Sequence, residues 1–382
     1  MPEVFLPYGR QCVDDDDVAA VAAVLRGDYL TCGPAVTAFE EEFAAKVGAR
    51  HAVACANGTA GLHLSMLALG IGPDDKVVVP TLTFLASANA ARYVGAHVVF
   101  ADVDRTTGLM RDEELDRAIV AAHEAGVRAV VPVHLNGQCA DLERLSKAAR
   151  FHGLRIVEDA CHALGGHYRA ADGERSAIGS CRYSDLTVFS MHPVKVIAMG
   201  EGGVVTTNDD GLNRRLRFFR GHGMVHDPAA FTETDQAFAP EGGANPWYYE
   251  MPEPGFNYRA SDVHCALGRS QLRKLDRFVA ARRDLVAEYD RLLAPLAPLI
   301  RPIAREPSCE TAWHLYVVHI DFDAAGMSRA SLMRRLRERG VGTQVHYLPV
   351  HRQPYYRRLY GHIALPGADA YYRRALSLPL FP

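Results

Sequence analysis

The sequence predicts an α/β protein in which a mostly parallel sheet lies between helices. Short apolar runs, several of them rich in valine, alternate with windows of helical periodicity, which is the pattern of successive β-α-β units. With 382 residues the chain is too long for one small core, so we expect a large and a smaller domain. The apolar runs lie near residues 52–55, 77–80, 98–101, 128–133 and 155–157, and the helical windows near residues 59–69, 85–93, 112–125 and 141–150.

Two further helices are predicted before this alternating region. The acidic run Asp14–Asp17 favours a helix N-terminus, and this helix should end near Gly27. The second helix carries apolar residues on one face and should end at Gly48.

The alternation is interrupted by residues 210–250, where glycine and proline predict a long loop. We therefore place a large domain at residues 1–245 and a small C-terminal α/β domain at residues 246–382. The elements predicted beyond the loop are a helix over roughly Ser261–Leu293, a strand at Trp313–Ile320 and a helix near residues 328–339.

The composition is that of an ordinary globular protein, with 48% hydrophobic and 23% charged residues. The formal net charge of −3 gives no indication of a nucleic-acid partner. The eight cysteines contain no C-x-x-C pair, which argues against a metal site or a disulfide framework. No signal peptide and no apolar run of about 18 residues is found, so we expect a cytoplasmic protein without membrane association.

One lysine lies between two strand-like runs. Lys195 follows the run Leu186–Ser190 and precedes Val204–Thr207, and the glycine-rich turn Gly200–Gly203 separates it from the second run. A lysine held on a short loop between rigid elements is partly desolvated, which favours a nucleophilic amine able to form a Schiff base. The alternative is a surface lysine in a hairpin.

A second stretch, Leu154–Gly166, is a short apolar strand that ends in two carboxylates. A carboxylate at the end of a buried parallel strand points into the crevice where α/β sheets bind ligands. If a pyridoxal 5′-phosphate (PLP) ring is present there, Asp159 can hold its pyridine nitrogen protonated. The alternative is that Glu158 or Asp159 caps the following helix.

The two stretches together resemble the sugar-nucleotide aminotransferase (DegT/StrS) family of fold-type I PLP enzymes. The resemblance rests on the strand-end Asp159 with the run Ala160-Cys161-His162, on Phe189-Ser-x-His-x-x-Lys195, and on Gly-Glu-Gly-Gly, and it covers essentially the whole chain. It implies a PLP-dependent enzyme in which Lys195 carries the cofactor and Asp159 contacts the ring nitrogen. No metal site is expected.

The rest of the cofactor site is predicted mainly from this resemblance. Gly58 and Thr59 lie between a strand and a helix, so their N–H groups can face a phosphate, although Asn57 stands where many members have serine. A core phenylalanine, a strand serine and a turn asparagine are the alternatives for Phe84, Ser190 and Asn257. The resemblance implies that Ser190 binds the phosphate, Phe84 and Cys161 flank the ring, His162 neighbours the 3′-oxygen and Asn257 reaches the phosphate of the neighbouring subunit.

The resemblance also implies a homodimer with shared active sites, and a closing C-terminal helix that we expect to be missing from this chain. Four residues are predicted on the substrate side, where solvated side chains are the alternative: His192, Arg220, His222 and His346.

Three segments, Leu6–Gln11, Pro246–Met251 and His346–Tyr356, resemble the branch of the family that acts in pseudaminic acid biosynthesis. The predicted reaction is amino transfer from L-glutamate to the C4 keto group of a UDP-linked 4-keto-6-deoxy-N-acetylhexosamine. The alternatives are another nucleotide keto-sugar or a cyclitol, a PLP-dependent sugar dehydratase, and a non-enzymatic PLP-binding protein. In the dehydratases of the family a histidine replaces the lysine, so Lys195 argues against that activity.

Overall fold

The structure is a computed structural model that describes residues 5–123 and 125–382. The helices are α1 (Asp15–Leu25), α2 (Pro34–Val47), α3 (Gly58–Ala68), α4 (Leu85–Tyr93), α5 (Asp112–Ala121), α6 (Leu142–Phe151), α7 (Asp210–Arg220), α8 (Thr234–Ala237), α9 (Asp262–Arg273), α10 (Leu275–Leu293), α11 (Arg329–Glu338), α12 (Pro354–Tyr360) and α13 (Pro366–Arg374). The strands are β1 (His51–Cys55), β2 (Lys76–Pro80), β3 (His97–Ala101), β4 (Val127–Val130), β5 (Arg155–Asp159), β6 (His167–Arg169), β7 (Arg175–Ala177), β8 (Leu186–Ser190), β9 (Gly203–Thr207), β10 (Ile300–Pro302), β11 (Cys309–Glu310), β12 (Tyr316–Ile320) and β13 (Ala375–Leu378).

The main sheet has seven strands in the order β1-β9-β8-β5-β4-β2-β3. β9 runs antiparallel to both of its neighbours, and the other pairs in the sheet are parallel. Its strands are almost wholly buried, as expected of a parallel sheet with helices on both faces. The predicted fold class is confirmed.

The C-terminal part of the chain forms a second, smaller sheet. Its order is β10-β12-β13, and both of its pairs are antiparallel. Side chains of β12 and β13 form a separate apolar cluster with Val286 of α10. β11 pairs instead with β6, which joins distant parts of the chain. The domain boundary after residue 245 stays a prediction.

Three predictions of local structure were wrong. Residues 210–220 form α7 rather than a loop, because the Asp209 side chain accepts a hydrogen bond from Leu212 N at 2.9 Å and caps the helix. The single helix predicted from Ser261 is interrupted at Lys274 and forms α9 and α10. The predicted strand begins only at Tyr316, because Trp313 has a φ of 53° that a strand does not accommodate.

Among the helices of the described residues, none combines the length and the apolarity needed to cross a bilayer.

Candidate active site

A cavity of about 580 Å³ lies at the carboxyl edge of the main sheet. The end of β5, the loop after β8, the N-terminus of α3 and residues 344–347 surround it. Carboxyl ends of parallel strands are the usual place for a ligand in such a fold. The predicted residues that line it are Gly58, Thr59, Phe84, Asp159, Cys161, His162, Ser190, His192, Lys195 and His346.

Lys195 is held on the loop between β8 and β9, where its N–H donates to the carbonyl of His192 at 2.8 Å. Burial lowers its pKa, although the nearby Cys161 and Asp159 act in the opposite direction. Throughout the described chain no carboxylate forms an ion pair with this lysine. Its amine is therefore available inside the cavity, and burial favours the neutral, nucleophilic form.

Asp159, the last residue of β5, is buried at the wall of the cavity. Its Oδ2 accepts a hydrogen bond from Ser87 Oγ at 2.6 Å, and its Oδ1 accepts one from Cys161 N at 3.1 Å. Ser87 Oγ lies 2.7 Å from Thr83 Oγ1, so it is itself positioned. The carboxylate is thus fixed in orientation and retains acceptor capacity towards the cavity.

The N-terminus of α3 provides a place for an anion. Asn57 caps the helix, since its Oδ1 accepts from Ala60 N at 2.8 Å. Its side chain is therefore occupied within the protein, whereas the N–H groups of Gly58 and Thr59 have no partner within the residues the structure covers. This end of a helix favours negative charge, so the donor set fits a phosphate.

Close contacts explain why residues 58 and 203, beside this helix N-terminus, are glycines. A Cβ on Gly58 would lie 2.8 Å from Ser190 Cβ and 3.1 Å from Cys161 Sγ. A Cβ on Gly203 would lie 2.4 Å from the carbonyl oxygen of Asn57. A side chain at either position would push α3 away from β8 and β9.

His162 is buried and neutral. Burial, with the charge of Lys195, lowers its pKa well below the ordinary value. The N–H of Asn136 points at Nδ1 at 3.3 Å, so Nδ1 must accept and Nε2 must carry the proton. Nε2 then donates to the hydroxyl of Tyr347 at 3.1 Å. The Tyr347 hydrogen remains free to be donated into the cavity.

Burial also shapes three further residues of the cavity, His346, Cys161 and Phe84. His346 Nδ1 lies 2.7 Å from Ser377 Oγ, and burial, with the charge of Lys195, lowers its pKa to about 3. Burial raises the pKa of the Cys161 thiol well above its ordinary value, and the Asp159 carboxylate adds to this shift. Phe84 is 55% exposed, with its ring 6.0 Å from that of Tyr347. A ring at the mouth of the cavity can cover a bound planar group.

Three predicted residues do not line this cavity. The Arg220 guanidinium donates to Glu40 Oε1 at 2.6 Å and to the carbonyl of Ala54 at 2.8 Å. The His222 N–H donates to the carbonyl of Phe256 at 3.0 Å, in a segment that also pairs Gly221 with Asn257. Asn257 is exposed on the surface of the chain, and its predicted place in a neighbouring subunit stays a prediction.

Sequence reasoning missed several residues that the structure brings to the site. Ser87 orients Asp159, Tyr347 receives the hydrogen bond of His162, and Tyr8 packs its ring 5.3 Å from that of His346. A signal existed for Ser87, since it lies in the first turn of α4 and four residues after Thr83. Tyr347 belongs to a segment that resembled the pseudaminic acid branch, but nothing local distinguished its role.

Comparison with known proteins supports an enzymatic interpretation of this cavity. The sequence matches the DegT/DnrJ/EryC1/StrS aminotransferase family over residues 11–382. The chain belongs to this family. The predicted family is thereby confirmed, and the match includes every residue assigned to the cavity except Tyr8.

Solved structures of similar proteins cover nearly the whole chain. Helicobacter pylori PseC, an aminotransferase involved in the biosynthesis of pseudoaminic acid, is 27% identical, with a TM-score of 0.86 over 99% of this chain and 94% of PseC. Spr1654 from Streptococcus pneumoniae in its PLP form is 25% identical, with a TM-score of 0.84 over 99% of this chain and 94% of that one. DesI, solved with its TDP-sugar product, is 32% identical, with a TM-score of 0.83 over 99% of this chain and 88% of DesI.

Spr1654 has also been solved in its PMP form, in which it is 26% identical to this chain. The PLP and PMP forms, together with family membership, support pyridoxal phosphate as the cofactor of this aminotransferase.

Proposed function

We propose that this family member transfers an amino group from L-glutamate to the C4 keto group of a UDP-linked 4-keto-6-deoxy-N-acetylhexosamine. The observation that carries the aminotransferase activity is the unpaired Lys195 in a cavity that also holds the fixed carboxylate of Asp159. The choice of sugar is supported by the similarity to PseC and by the three sequence segments that resemble the pseudaminic acid branch.

The residues of the cavity fit PLP. The N–H groups of Gly58 and Thr59 and the hydroxyl of Ser190 would hold its phosphate, and Asp159 would hold its ring nitrogen. Bound PLP supplies an electron sink that stabilises negative charge on the carbon bearing the transferred amine. The absence of a Cβ at Gly58 keeps the helix N-terminus close to Ser190, as a phosphate shared by both would require.

Lys195 has two tasks in this proposal. Its neutral amine would hold the cofactor covalently, and burial favours the neutral form because it lowers the pKa of the lysine. Once the donor amine replaced it, the Nζ atom would be the base that takes the proton from the donor Cα and the acid that returns it to the C4′ carbon of the cofactor. The return half of the cycle, on the keto-sugar, uses the same atom in the opposite sense.

Asp159 acts through its charge. Its two oxygens are positioned by Ser87 and by Cys161 N, so the carboxylate needs no reorientation during the reaction. Such a fixed anion would keep the ring nitrogen of bound PLP protonated. His162, fixed as the Nε2–H tautomer, in turn positions the hydroxyl of Tyr347 as a hydrogen-bond donor within the cavity.

The substrate proposal can be tested with the purified holoenzyme. It is incubated with glutamate and a panel of UDP-, TDP- and GDP-linked keto-sugars, and the products are analysed by mass spectrometry. We expect an amino sugar from the UDP-linked N-acetylated 4-keto substrate and little from the others. Exclusive amination of a TDP-sugar would contradict the proposed sugar but not the aminotransferase activity.

We also propose that two chains share each active site, with Asn257 of one chain near the phosphate held by its partner. Its exposure on the surface of a single chain supports this, since the side chain is free to contact another subunit. The test mixes Lys195→Ala with Asn257→Asp, whose carboxylate would repel the phosphate. After subunit exchange one pocket of each hybrid dimer carries neither change, so activity should return. Confirmed exchange without activity would show that each pocket is built within one chain.

A further inference from the structure

A second cavity shares no lining residue with the active site. It has a volume of about 280 Å³ and lies between the loop after β3, strands β10 and β12, and the end of α13. Four of the residues that line it are arginines, namely Arg105, Arg301, Arg373 and Arg374.

These four arginines are poorly compensated by carboxylates. Within the described residues only Arg374 has an ion pair, with Asp321 at 3.5 Å. The Asp104 carboxylate also acts on His319, but its Oδ1 accepts the N–H groups of Thr106 and Thr107, both at 2.8 Å, and its Oδ2 pairs with Arg111. The cavity therefore carries a net positive field.

The end of helix α13 does not require these arginines. A helix C-terminus attracts cations, which would give Arg373 and Arg374 a purely structural role. However, Arg329 already supplies a cation at this end of the helix, since its Nη1 donates to Tyr372 O in the last turn and, at 3.1 Å, to Ala375 O just after it. Arg373, which has no ion pair within the described residues, therefore remains available for a ligand.

The floor of the cavity includes a buried histidine with an unused polar atom. His319 on β12 is 6% exposed and lines the cavity, and its Nε2 has no hydrogen-bond partner in residues 5–123 and 125–382. Burial and the charges of Arg301 and Arg374 lower its pKa to about 4, which is consistent with a strongly positive surrounding. A buried polar atom without a partner is costly unless a ligand or water completes it.

We propose that this cavity binds a phosphate group, either as inorganic phosphate or as the phosphate of a small monoester. Guanidinium groups bind phosphate oxygens through paired, charge-assisted hydrogen bonds, and several arginines around one cavity are suited to a doubly charged anion. The cavity is roomy enough for such a group, and the site is separate from the cofactor's own phosphate cradle at α3.

Calorimetric titration of the PLP-loaded enzyme, with UDP added to fill the nucleotide site, tests the proposal. Inorganic phosphate is one titrant and glucose 6-phosphate the other. The double variant Arg301→Ala/Arg373→Ala should bind both at least about tenfold more weakly, the scale of losing charge-assisted hydrogen bonds. The matched control is Arg334→Ala/Arg335→Ala, which removes two exposed arginines from α11 and should bind as the wild type does.

Equal affinities for the two titrants would identify inorganic phosphate as sufficient, and tighter binding of glucose 6-phosphate would identify a monoester. A readout that needs no variant is the ring resonance of His319, which should shift on addition of phosphate. Absence of binding by the wild type, unchanged affinity in the Arg301/Arg373 variant, or an unmoved His319 signal would each overturn the proposal.

Discussion

Glu158 and Asp159 are neighbouring carboxylates at the end of β5, but they lie in different surroundings. Glu158 is fully buried on one side of the strand, where it accepts hydrogen bonds from His134 Nε2 at 2.8 Å, from Ser184 and from Tyr168. Asp159 points to the other side and forms part of the wall of the active-site cavity. The alternation of side chains along a strand separates the two.

The difference shows that partners, rather than residue type, decide what a buried carboxylate can do. The Glu158 oxygens are supplied with donors from within the protein, so this residue stabilises the fold. Asp159 receives two hydrogen bonds that orient it and keeps capacity for a ligand. The following predictions test this contrast, beginning with the largest expected effect.

Lys195→Ala should abolish amino transfer, because the proposed reaction depends on this amine to hold the cofactor and to move the proton. The variant should also lose the absorbance near roughly 400–430 nm expected of PLP bound covalently to a lysine. The fold should be unchanged, since Lys195 has no ion pair within the described chain. Retained absorbance together with full turnover would remove Lys195 from the mechanism.

Asp159→Asn should slow the half-reaction with glutamate by roughly 10²-fold, the scale of losing one preorganised charge. Glu158→Gln is the matched control, because it makes the same chemical change one residue away on the other side of β5. Single-turnover kinetics on folded protein should show little effect of the control. Equal slowing in both variants would break the proposed division of roles.

Glu158→Gln should instead reduce the free energy of unfolding by about 3 kcal/mol, since it disrupts a buried charged network. Chemical denaturation checks this at pH 7, with the exposed Glu113→Gln as control. A loss below about 1 kcal/mol, the range of a surface pair, would argue that the network contributes little.

The same variant has a predicted pH dependence. Burial alone would raise the pKa of Glu158, but the hydrogen bonds from His134, Ser184 and Tyr168 outweigh it and hold the pKa below the ordinary 4.5. A depressed carboxyl pKa contributes stability above the unfolded value, which is lost as the pH falls through the folded value. The stability difference between wild type and Glu158→Gln should therefore shrink below pH 4.5. A constant difference would exclude this linkage.

Tyr347→Phe should have the smallest effect, roughly a tenfold loss of kcat, because it removes one hydrogen-bond donor from the cavity and one acceptor from His162. NMR of the His162 ring should show a smaller population of the Nε2–H tautomer. Tyr355→Phe, an exposed tyrosine away from the cavity, is the control. An unchanged His162 signal with unchanged kcat would show that the hydrogen bond between His162 Nε2 and the Tyr347 hydroxyl plays no part in the reaction.

Much of the fold and the centre of the site could be predicted from the sequence, because their signals are local. The strands of the main sheet are short apolar runs, and Lys195 and Asp159 follow such runs directly. Helix α7 was not predicted, because its sequence is rich in arginine and contains a glycine near its start, so few apolar residues mark its buried face.

Other features depend on contacts between distant parts of the chain. Arg220 was predicted on the substrate side, but its partner Glu40 lies 180 residues away in sequence. Tyr347 reaches His162 over 185 residues. No local pattern reports such pairings, and they decide whether a polar side chain faces a ligand or another part of the protein.

The close contacts at Gly58 and Gly203 have a thermodynamic consequence. Because α3 rests directly on β8 and β9, the entropy of orienting its free N–H groups is lost when the protein folds and not when a ligand arrives. Cofactor binding should add about 2.7 kcal/mol to the free energy of unfolding when the free cofactor is at one hundred times its dissociation constant, and the melting temperature should rise accordingly. The apoprotein should keep its secondary structure. The heat-capacity change of cofactor binding should then be small, because it reflects only the burial of the cofactor ring.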